Sequence, residues 1–350
     1  MGGPWFTMTP GKEYAVAPGE AHRYVGELTR GEQVQGVYLC ASKDLKTTRT
    51  GSLYLQLELA DRSGRIGAKF WDASEGLFHA FEVDDFLRVR GGVDVYQGTK
   101  QLVLTDLRPV SPEGLNLADY LPSTEQDVEA LFAELRQALE PVTDRHLRVV
   151  IDAFLGDEAL MEQFRTAPAA IRYHHAYLGG LLEHTVGVMR LALAACERYA
   201  ALNRDLLLTG VFLHDMGKVD EMTYSRTFDY TDPGNLLGHL VIGLGMLERR
   251  VRDWETATGE AFPEDLLAVL EHLVISHHGE YEYGSCKLPM TAEALALHYL
   301  DNLDAKVYAI GREIAADADP QRRWTEFSRM FRRRLYKGLA TDTTDSDADR

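Results

Sequence analysis

Between residues 110 and 124 the hydrophobic pattern of this 350-residue chain changes period, from alternation to helical spacing, so one secondary-structure class cannot serve both halves. Before the change, LYLQLELADRSGRIGAKFWD reads as a hairpin. Leu55, Leu57 and Leu59 alternate with Tyr54, Gln56 and Glu58, and Ile66, Ala68 and Phe70 alternate with Lys69 and Trp71. Its polar turn, Asp61-Arg62-Ser63-Gly64, ends in glycine as a short hairpin loop requires. QVQGVYLCASKDL supplies a strand ahead of it and ASEGLFHAF a short apolar segment behind it. FLRVRGGVDVYQGTKQLVLTDLRPV then gives two further strands about a Gly91-Gly92 break.

Five strands with a helix between the third and fourth follow the order of an OB-fold barrel. The expected fold class is therefore multidomain, with an N-terminal all-β OB-fold-like barrel over 22–112 and an all-α domain over 126–337. The connector 113–125 lies within SPEGLNLADYLPSTEQD, which carries two prolines and a Ser-Thr helix start. Helical spacing predicts helices at about 125–139, 143–155, 157–166, 174–200, 204–216, 235–255, 263–277, 291–315 and 321–336. Trp324, Phe327 and Phe331 give the last of these an apolar face that could pack between subunits of a homo-oligomer or within one chain. Residues 1–21 read as a flexible Gly/Pro-rich lead, with Met8 an alternative start, and 338–350 as a disordered acidic tail.

With 45% hydrophobic and 26% charged residues the chain is neither a disordered nor a membrane protein. No stretch approaches the roughly 20 apolar residues of a bilayer span, and the lead lacks the basic start and apolar core of a secretory signal. Cys40, Cys196 and Cys286 are odd in number and widely spaced, which suits a reducing cytoplasm and forms no disulfide framework. The net charge of −17 argues against holding nucleic acid by bulk electrostatics. It is unevenly spread: 22–112 balance twelve Lys/Arg against twelve Asp/Glu, while 113–350 net −16. A polyanion handled by this chain needs divalent cations or local patches to neutralise it.

Nine of the twelve histidines lie between 174 and 298. His184 in GGLLEHTVGV, His214-Asp215 in VFLHDMGK, His239 in LLGHLVIG, His277-His278 in VISHHGE and Asp301 in LHYLDNLDAK each sit in or beside an apolar helical stretch. Burying so many imidazoles and carboxylates without partners would cost several kcal/mol apiece, on the order of 2–7, and a shared metal centre satisfies them all. The mixed imidazole and carboxylate set suits Mn²⁺, Fe, Co, Ni or Zn better than Mg²⁺ or Ca²⁺ and does not choose among the first five; Mn²⁺ is taken as the favoured ion, with the other transition metals left open. In His214-Asp215 the histidine can bind one ion while the two-oxygen carboxylate bridges two. His277 and His278 lie about 100° apart on an ideal helix, so both face one ion only at a helix end, which Gly279 supplies. Lys218, four residues after His214, falls on the same helical face, where it meets either a phosphate oxygen or solvent.

At these residues the sequence resembles the HD-domain metal-dependent phosphohydrolases. The series His184, His214-Asp215, His239, His277-His278 and Asp301 runs in their order, and HDMGK matches their signature with its lysine. The resemblance implies two ions per chain, one among His184, His214, Asp215 and Asp301 and a second among Asp215, His239, His277 and His278. It prefers Asp301 over the competing Asp304, because the family's aspartate precedes a stretch like Asn302-Leu303-Asp304-Ala305. HHAYLGGLLEHTVGVMRLA, HDMGKVDE, GHLVIG and ISHHGEYEYGSCKLPMTAEALALHYLDNLDAKVYAIG, behind an OB-like barrel, are similar to the YhaM-type 3′–5′ exoribonucleases across roughly residues 22 to 320. Arg172, His174 and His175 belong to this resemblance, either as a layer touching the substrate phosphate or sugar or as helix N-terminal packing. His272 and His298 match no ligand position and are assigned to structure.

The resemblance implies a hydrolase in which two metals activate a water, with Asp215 and Lys218 at the catalytic centre. Single-stranded RNA, or DNA, would be trimmed from its 3′ end to nucleoside 5′-monophosphates. By alternation Tyr54, Gln56, Lys69 and Trp71 lie on the barrel face opposite the leucines, where Tyr54 and Trp71 either stack on bases or pack on the helical domain, and Arg49, Arg65, Arg88 and Arg90 are candidate backbone contacts. Two alternatives remain open: an HD-type phosphohydrolase of nucleotides or cyclic dinucleotides, and a non-catalytic single-strand-binding protein.

Overall fold

The computed structural model of the chain describes residues 22–338 except 72, 172–173, 318 and 320–321. The expected lead over 1–21 and the tail beyond Gly338 lie outside the described residues. The chain divides into two compact units, Met1–Ser123 with Met222–Thr231, and Thr124–Glu221 with Asp232–Arg350. Among the described residues no helix is long and apolar enough to cross a membrane.

The first unit holds β1 (Gln33–Thr47), β2 (Leu53–Asp61), β3 (Gly64–Phe70), α1 (Glu75–Phe78), β4 (Phe86–Tyr96) and β5 (Thr99–Val110). They close into a barrel in the order β1-β2-β3-β5-β4, with β3 and β5 parallel. The alternation read from sequence holds: Leu55, Leu57, Leu59, Ile66 and Ala68 are buried in the barrel core. A slip of one residue would turn them all to solvent, at about 1.5–3 kcal/mol for each large side chain, and this fixes the β2–β3 register. The Gly91-Gly92 pair is not a break. β4 runs through it with a bulge between Arg90 and Gly91, and the chain turns at Gln97-Gly98 instead. A Cβ at Gly91 would lie 2.4 Å from the Val103 carbonyl oxygen, so the glycine lets two backbones approach.

Residues 113–123, read as connector, pack with the barrel unit. The Arg62 amide donates to the Asp119 carbonyl at 2.9 Å, the Tyr24 hydroxyl donates to the Asp119 carboxylate at 2.6 Å, and Tyr120 stacks edge-on to Phe86. Two short strands in Met222–Thr231, β6 (Met222–Thr223) and β7 (Asp229–Tyr230), belong to the same unit, where Arg226 pairs with Asp85.

The second unit is helical: α2 (Val128–Leu139), α3 (Arg145–Leu155), α4 (Glu158–Thr166), α5 (Gly180–Arg198), α6 (Arg204–Leu213), α7 (Lys218–Glu221), α8 (Asp232–Thr258), α9 (Glu264–Ser276) and α10 (Ala292–Ala316). Side chains of Asp127, Asp144, Asp157, Asn203 and Thr291 accept from backbone amides at five helix starts. Each cap contributes about 1 kcal/mol. Three expectations change. The helix read over 174–200 begins only at Gly180, because His175 at φ 47° and Gly179 at φ 79° are left-handed. The helix read over 204–216 ends at Leu213, so Lys218 starts a separate helix rather than continuing the one that ends before His214. Residues 321–336 are not a helix: β8 (Trp324–Ser328) and β9 (Arg333–Tyr336) form a hairpin beside α10, where the Ser328 hydroxyl donates to Glu313 at 2.8 Å.

Candidate metal centre

Five helices of the second unit bring the singled-out side chains to one point, and at that point sits Asp215. His184 comes from α5, and His214 and Asp215 from the turn after α6. That turn can press against α8 because it contains Gly217, where a Cβ would lie 2.1 Å from the His239 carbonyl oxygen. His239 follows Gly238, whose φ of 74° breaks α8. His277 caps the C-terminus of α9, and Gly279 at φ 78° ends the turn, so both histidines of the pair face the site as the helix-end reading required. Asp301 and Asp304 lie one turn apart on α10.

Each oxygen of Asp215 faces its own pair of imidazoles. Oδ2 lies 3.6 Å from His184 Nε2, 3.3 Å from His214 Nε2 and 2.7 Å from Lys218 Nζ. Oδ1 lies 3.5 Å from both His239 Nε2 and His277 Nε2. Asp301 Oδ1 is 3.2 Å from His184 Nε2, and His278 Nε2 is 3.2 Å from His239 Nε2.

The opposite nitrogen of every ring shows what these Nε2 atoms are for. His214 Nδ1 donates to the Val211 carbonyl at 2.7 Å, His277 Nδ1 to Val274 at 2.8 Å, and His278 Nδ1 to Tyr283 at 2.8 Å. His184 Nδ1 donates to Asp304 Oδ2 at 2.7 Å, and His239 Nδ1 to Glu221 Oε1 at 2.9 Å. Because those partners only accept, each Nδ1 carries a proton, and in the ring's neutral form each Nε2 presents a bare lone pair to the cluster about Asp215. Lone pairs facing lone pairs and carboxylate oxygens make no hydrogen bonds. Asp215 Oδ1 is buried with no hydrogen-bond partner. A cation between them satisfies the whole set, so the donors fit a metal on their own geometry. Ligand atoms of His184, His214 and Asp215 lie within 4.8 Å of one another, as do those of His239, His277 and His278. They could hold one ion on each side of Asp215.

The electrostatics agree. Burial alone would raise the Asp215 carboxyl, but the Lys218 ammonium facing it holds it well below the ordinary carboxylate range. Burial likewise opposes ionisation of Asp301, and His184 outweighs it and lowers the group. Desolvation would lower His184, yet Asp301 and Asp304 raise it to about 9, so with no cation beside them the carboxylates draw a second proton onto this ring, a positive charge that a metal at Nε2 would supply instead. Burial pushes His278 and His174 down to about 3 and His175 to about 2, keeping those rings neutral.

Asp304 therefore stands on the protonated side of His184 and orients it, while Asp301 stands on the lone-pair side. Glu221, to which the sequence reading gave no role, holds His239 through both ring and backbone amide. Its only sequence signal is its place at the end of HDMGKVDE. A pocket of about 260 Å³ opens over Asp215, Lys218 and Asp301, and His174, Tyr283, Lys306 and Met330 also line it. His175 stays below the surface, stacked on Tyr308 at 3.8 Å and 3.6 Å from Asp304 Oδ2. Arg172 lies outside the described residues. His272 Nε2 accepts from the Met290 amide, a structural contact as assigned. His298 Nδ1 bonds to the His277 carbonyl, although that ring also reaches the pocket wall.

On the barrel, Tyr54 and Trp71 pack ring to ring at 4.9 Å on the outer face, and Trp71 is 46% exposed. Lys69 Nζ lies 5.6 Å over Trp71 and 5.0 Å over Tyr96, an exposed ring the sequence reading passed over. Gln56 accepts from Lys46, and Arg65 pairs with Glu58 at 2.9 Å. Arg49 and Arg90 are exposed, and Arg88 is half-buried.

Two family descriptions match the chain: an OB-fold nucleic acid binding domain at residues 40–110 and an HD domain at residues 181–306. The 3′–5′ exoribonuclease YhaM of Bacillus subtilis is 36% identical over 285 residues, which span 81% of this chain and 88% of the relative. That of Bacillus velezensis is 35% identical over 81% of this chain and 88% of its own length. That of Listeria welshimeri is 34% identical over 79% and 86%. Among solved structures, the second OB-fold domain of replication protein A from Methanococcus maripaludis aligns with 26% of this chain and 95% of its own, at 18% identity and a TM-score of 0.21.

Proposed function

The chain belongs to the YhaM 3′–5′ exoribonuclease family, and from that membership we propose how its own residues carry the activity: it is a metal-dependent 3′–5′ exoribonuclease whose centre holds two divalent cations about Asp215. The observation that carries the reading is the two-sided environment of Asp215, with a bare pair of imidazole nitrogens against each carboxylate oxygen. His184, His214, Asp215 and Asp301 would hold one ion, and Asp215, His239, His277 and His278 the other. The nitrogen and oxygen donors suit Mn²⁺ or a neighbouring transition metal. Divalent cations so placed supply Lewis acidity to the scissile phosphate and lower the pKa of a water beside it.

The chain's own groups do the rest. Asp215 keeps its negative charge under burial because Lys218 faces it, and Lys218 in turn reaches the pocket where a phosphate oxygen would lie. Glu221 and Asp304 fix the tautomers of His239 and His184, so these rings present acceptors without rearrangement. His174 lines the mouth and faces the terminal phosphate or sugar, whereas the buried His175 packs behind it. Water adds to the last phosphorus, the bond from phosphorus to the preceding 3′-oxygen breaks, and that oxygen takes the proton. A nucleoside 5′-monophosphate leaves. The barrel binds single-stranded nucleic acid, with Tyr54, Trp71 and Tyr96 as stacking faces and Lys69 and Arg90 beside the backbone.

Digestion of one oligoribonucleotide labelled at its 5′ or 3′ end, with and without Mn²⁺, tests the reading. The 5′ label is expected in a ladder shortening from the 3′ end, and the 3′ label in mononucleotide from the first time point. Internal cuts, or hydrolysis confined to free nucleotides and cyclic dinucleotides, would overturn it.

A further inference from the structure

The hairpin β8–β9 is the most basic element of an acidic half. Residues 322–337 contain seven Lys/Arg and one acid, within a segment 113–350 that nets −16. Among the described residues, Arg329, Arg332, Arg333 and Arg334 have no carboxylate partner. Arg333 and Arg334 bond only to the carbonyls of Phe331 and Thr325 in the same hairpin. Exposed aromatic rings are interleaved with these charges. Trp324 is 48% and Phe327 62% exposed, and Trp324 packs on Tyr336 at 5.1 Å, with the Arg323 guanidinium 5.3 Å from the Tyr336 ring. Thr325, Ser328 and Leu335 form the buried side, so the charged and aromatic side chains share the other.

The turn joins this surface to the catalytic pocket. Met330 at the hairpin tip lines the same cavity as Asp215, Lys218 and Asp301. Arg332 holds φ 51°, a left-handed conformation that costs an arginine on the order of 1–2 kcal/mol. The turn thus places Arg329 and Arg332 on either side of the residue that walls the cavity.

We infer that the β8–β9 hairpin is a second contact surface for single-stranded RNA, engaging the nucleotides just upstream of the 3′ end in the pocket. This rests on the exoribonuclease reading and adds a binding element to it. Arginines spaced between exposed rings suit a flexible strand, whose phosphates take the guanidinium groups while its bases stack. Through Met330 the turn that carries Arg329 and Arg332 adjoins the pocket in which such a strand would end.

The test uses the full-length protein with Mn²⁺, comparing the triple variant Arg329→Ala/Arg332→Ala/Arg333→Ala with wild type. Substrates are a 5′-fluorescein-labelled oligoadenylate of twenty nucleotides and the dinucleotide ApA. The KM for the oligomer is expected to rise about tenfold near 0.1 M salt, well beyond any change with ApA. The salt dependence of oligomer binding should become shallower by about 2 in log–log slope, near 0.7 for each lost contact. The matching triple lysine variant should keep most of that slope. Arg329→Gln alone, at an exposed turn position, carries the same test at about one third of the slope change should the triple variant not fold. An unchanged KM and slope in the variants would overturn the inference. Binding is also measured by anisotropy with the metal chelated. A wild type that fails to shorten the oligomer would count against the nuclease reading, while the hairpin's contribution is still read from the anisotropy slopes.

Discussion

Replacing Gly187 by alanine isolates the layer of residues behind the proposed metal ligands, because it acts on Asp304 without touching any of them. Gly187 lies within α5, one turn after His184, and a Cβ built there would sit 2.6 Å from Asp304 Oδ1. Ordinary contact begins at 3.4 Å, so the carboxylate must retreat by about 0.8 Å. The bond from His184 Nδ1 to Asp304 Oδ2, now 2.7 Å, would stretch toward about 3.5 Å, past the useful range. His184 then loses the partner that fixes its tautomer, and loss of such a partner weakens metal binding about 10–100-fold, or about 1.4–2.8 kcal/mol. The same substitution favours the helix itself by about 1 kcal/mol, since alanine replaces glycine inside it. The signature is a variant that melts no lower than wild type yet binds Mn²⁺ more weakly by calorimetric titration, with RNA hydrolysis restored at high Mn²⁺. Asp304→Asn, which can still accept from Nδ1, should lose less affinity than Asp304→Ala. A Gly187→Ala protein that binds Mn²⁺ like wild type would refute the assignment of Asp304 as the orienting carboxylate.

Other outcomes follow from the same geometry. Asp215→Asn should abolish both metal binding and hydrolysis, and it should lower the denaturation midpoint by an amount corresponding to about 3–5 kcal/mol, because it strands the buried Lys218 ammonium without its counterion. Full activity in that variant would remove the two-sided centre. The pair Tyr54→Ala/Trp71→Ala should weaken binding of an unstructured oligoribonucleotide by about 1–3 kcal/mol per stacked base, read by anisotropy, with ApA hydrolysis affected far less. Thiol titration should find Cys286 reactive in the native protein and Cys40 reactive only after unfolding, since burial pushes the Cys40 thiol up to about 12. The unfolded chain ionises that thiol first, from about 9.0, so its contribution to barrel stability is intact below that pH and is lost between there and about pH 12. A native-state reaction at Cys40 as fast as at Cys286 would contradict the packing of β1.

What could be read without coordinates was whatever repeats or caps locally. The barrel was legible because Leu55, Leu57 and Leu59 keep one face through period two, and helix starts because Asp127, Asp144 and Asn203 sit just ahead of apolar runs. The clustered histidines and aspartates were legible as candidate ligands because imidazole and carboxylate are conspicuous inside apolar helices. Three features needed tertiary information. Gly91-Gly92 looks like punctuation, yet its cause is the Val103 carbonyl on a neighbouring strand. Trp324, Phe327 and Phe331 recur at helical spacing, and the hairpin's turn lacks the Gly or Asn that announces one, with Arg332 taking the left-handed position. Glu221 reads as an ordinary acid until Gly238 breaks α8 and brings His239 over it.

The charge distribution that argued against holding nucleic acid by bulk electrostatics becomes intelligible at short range. In about 0.1 M salt, charges more than about 10 Å apart are largely screened, so a strand responds to the groups beside it and not to the total of −17. Beside the pocket those groups are Lys218, Lys306, the Arg329–Arg332 turn and a donor set built to hold cations. Elsewhere on the helical unit the surplus acids repel phosphate, which disfavours binding a strand by its middle. An exonuclease must act at an end, and a surface attractive along its whole length would hold the substrate in positions that present no terminus. On the proposed reading the acidic surplus and the few concentrated basic groups act together: the first would suppress unproductive binding, and the second would mark where a 3′ end is accepted.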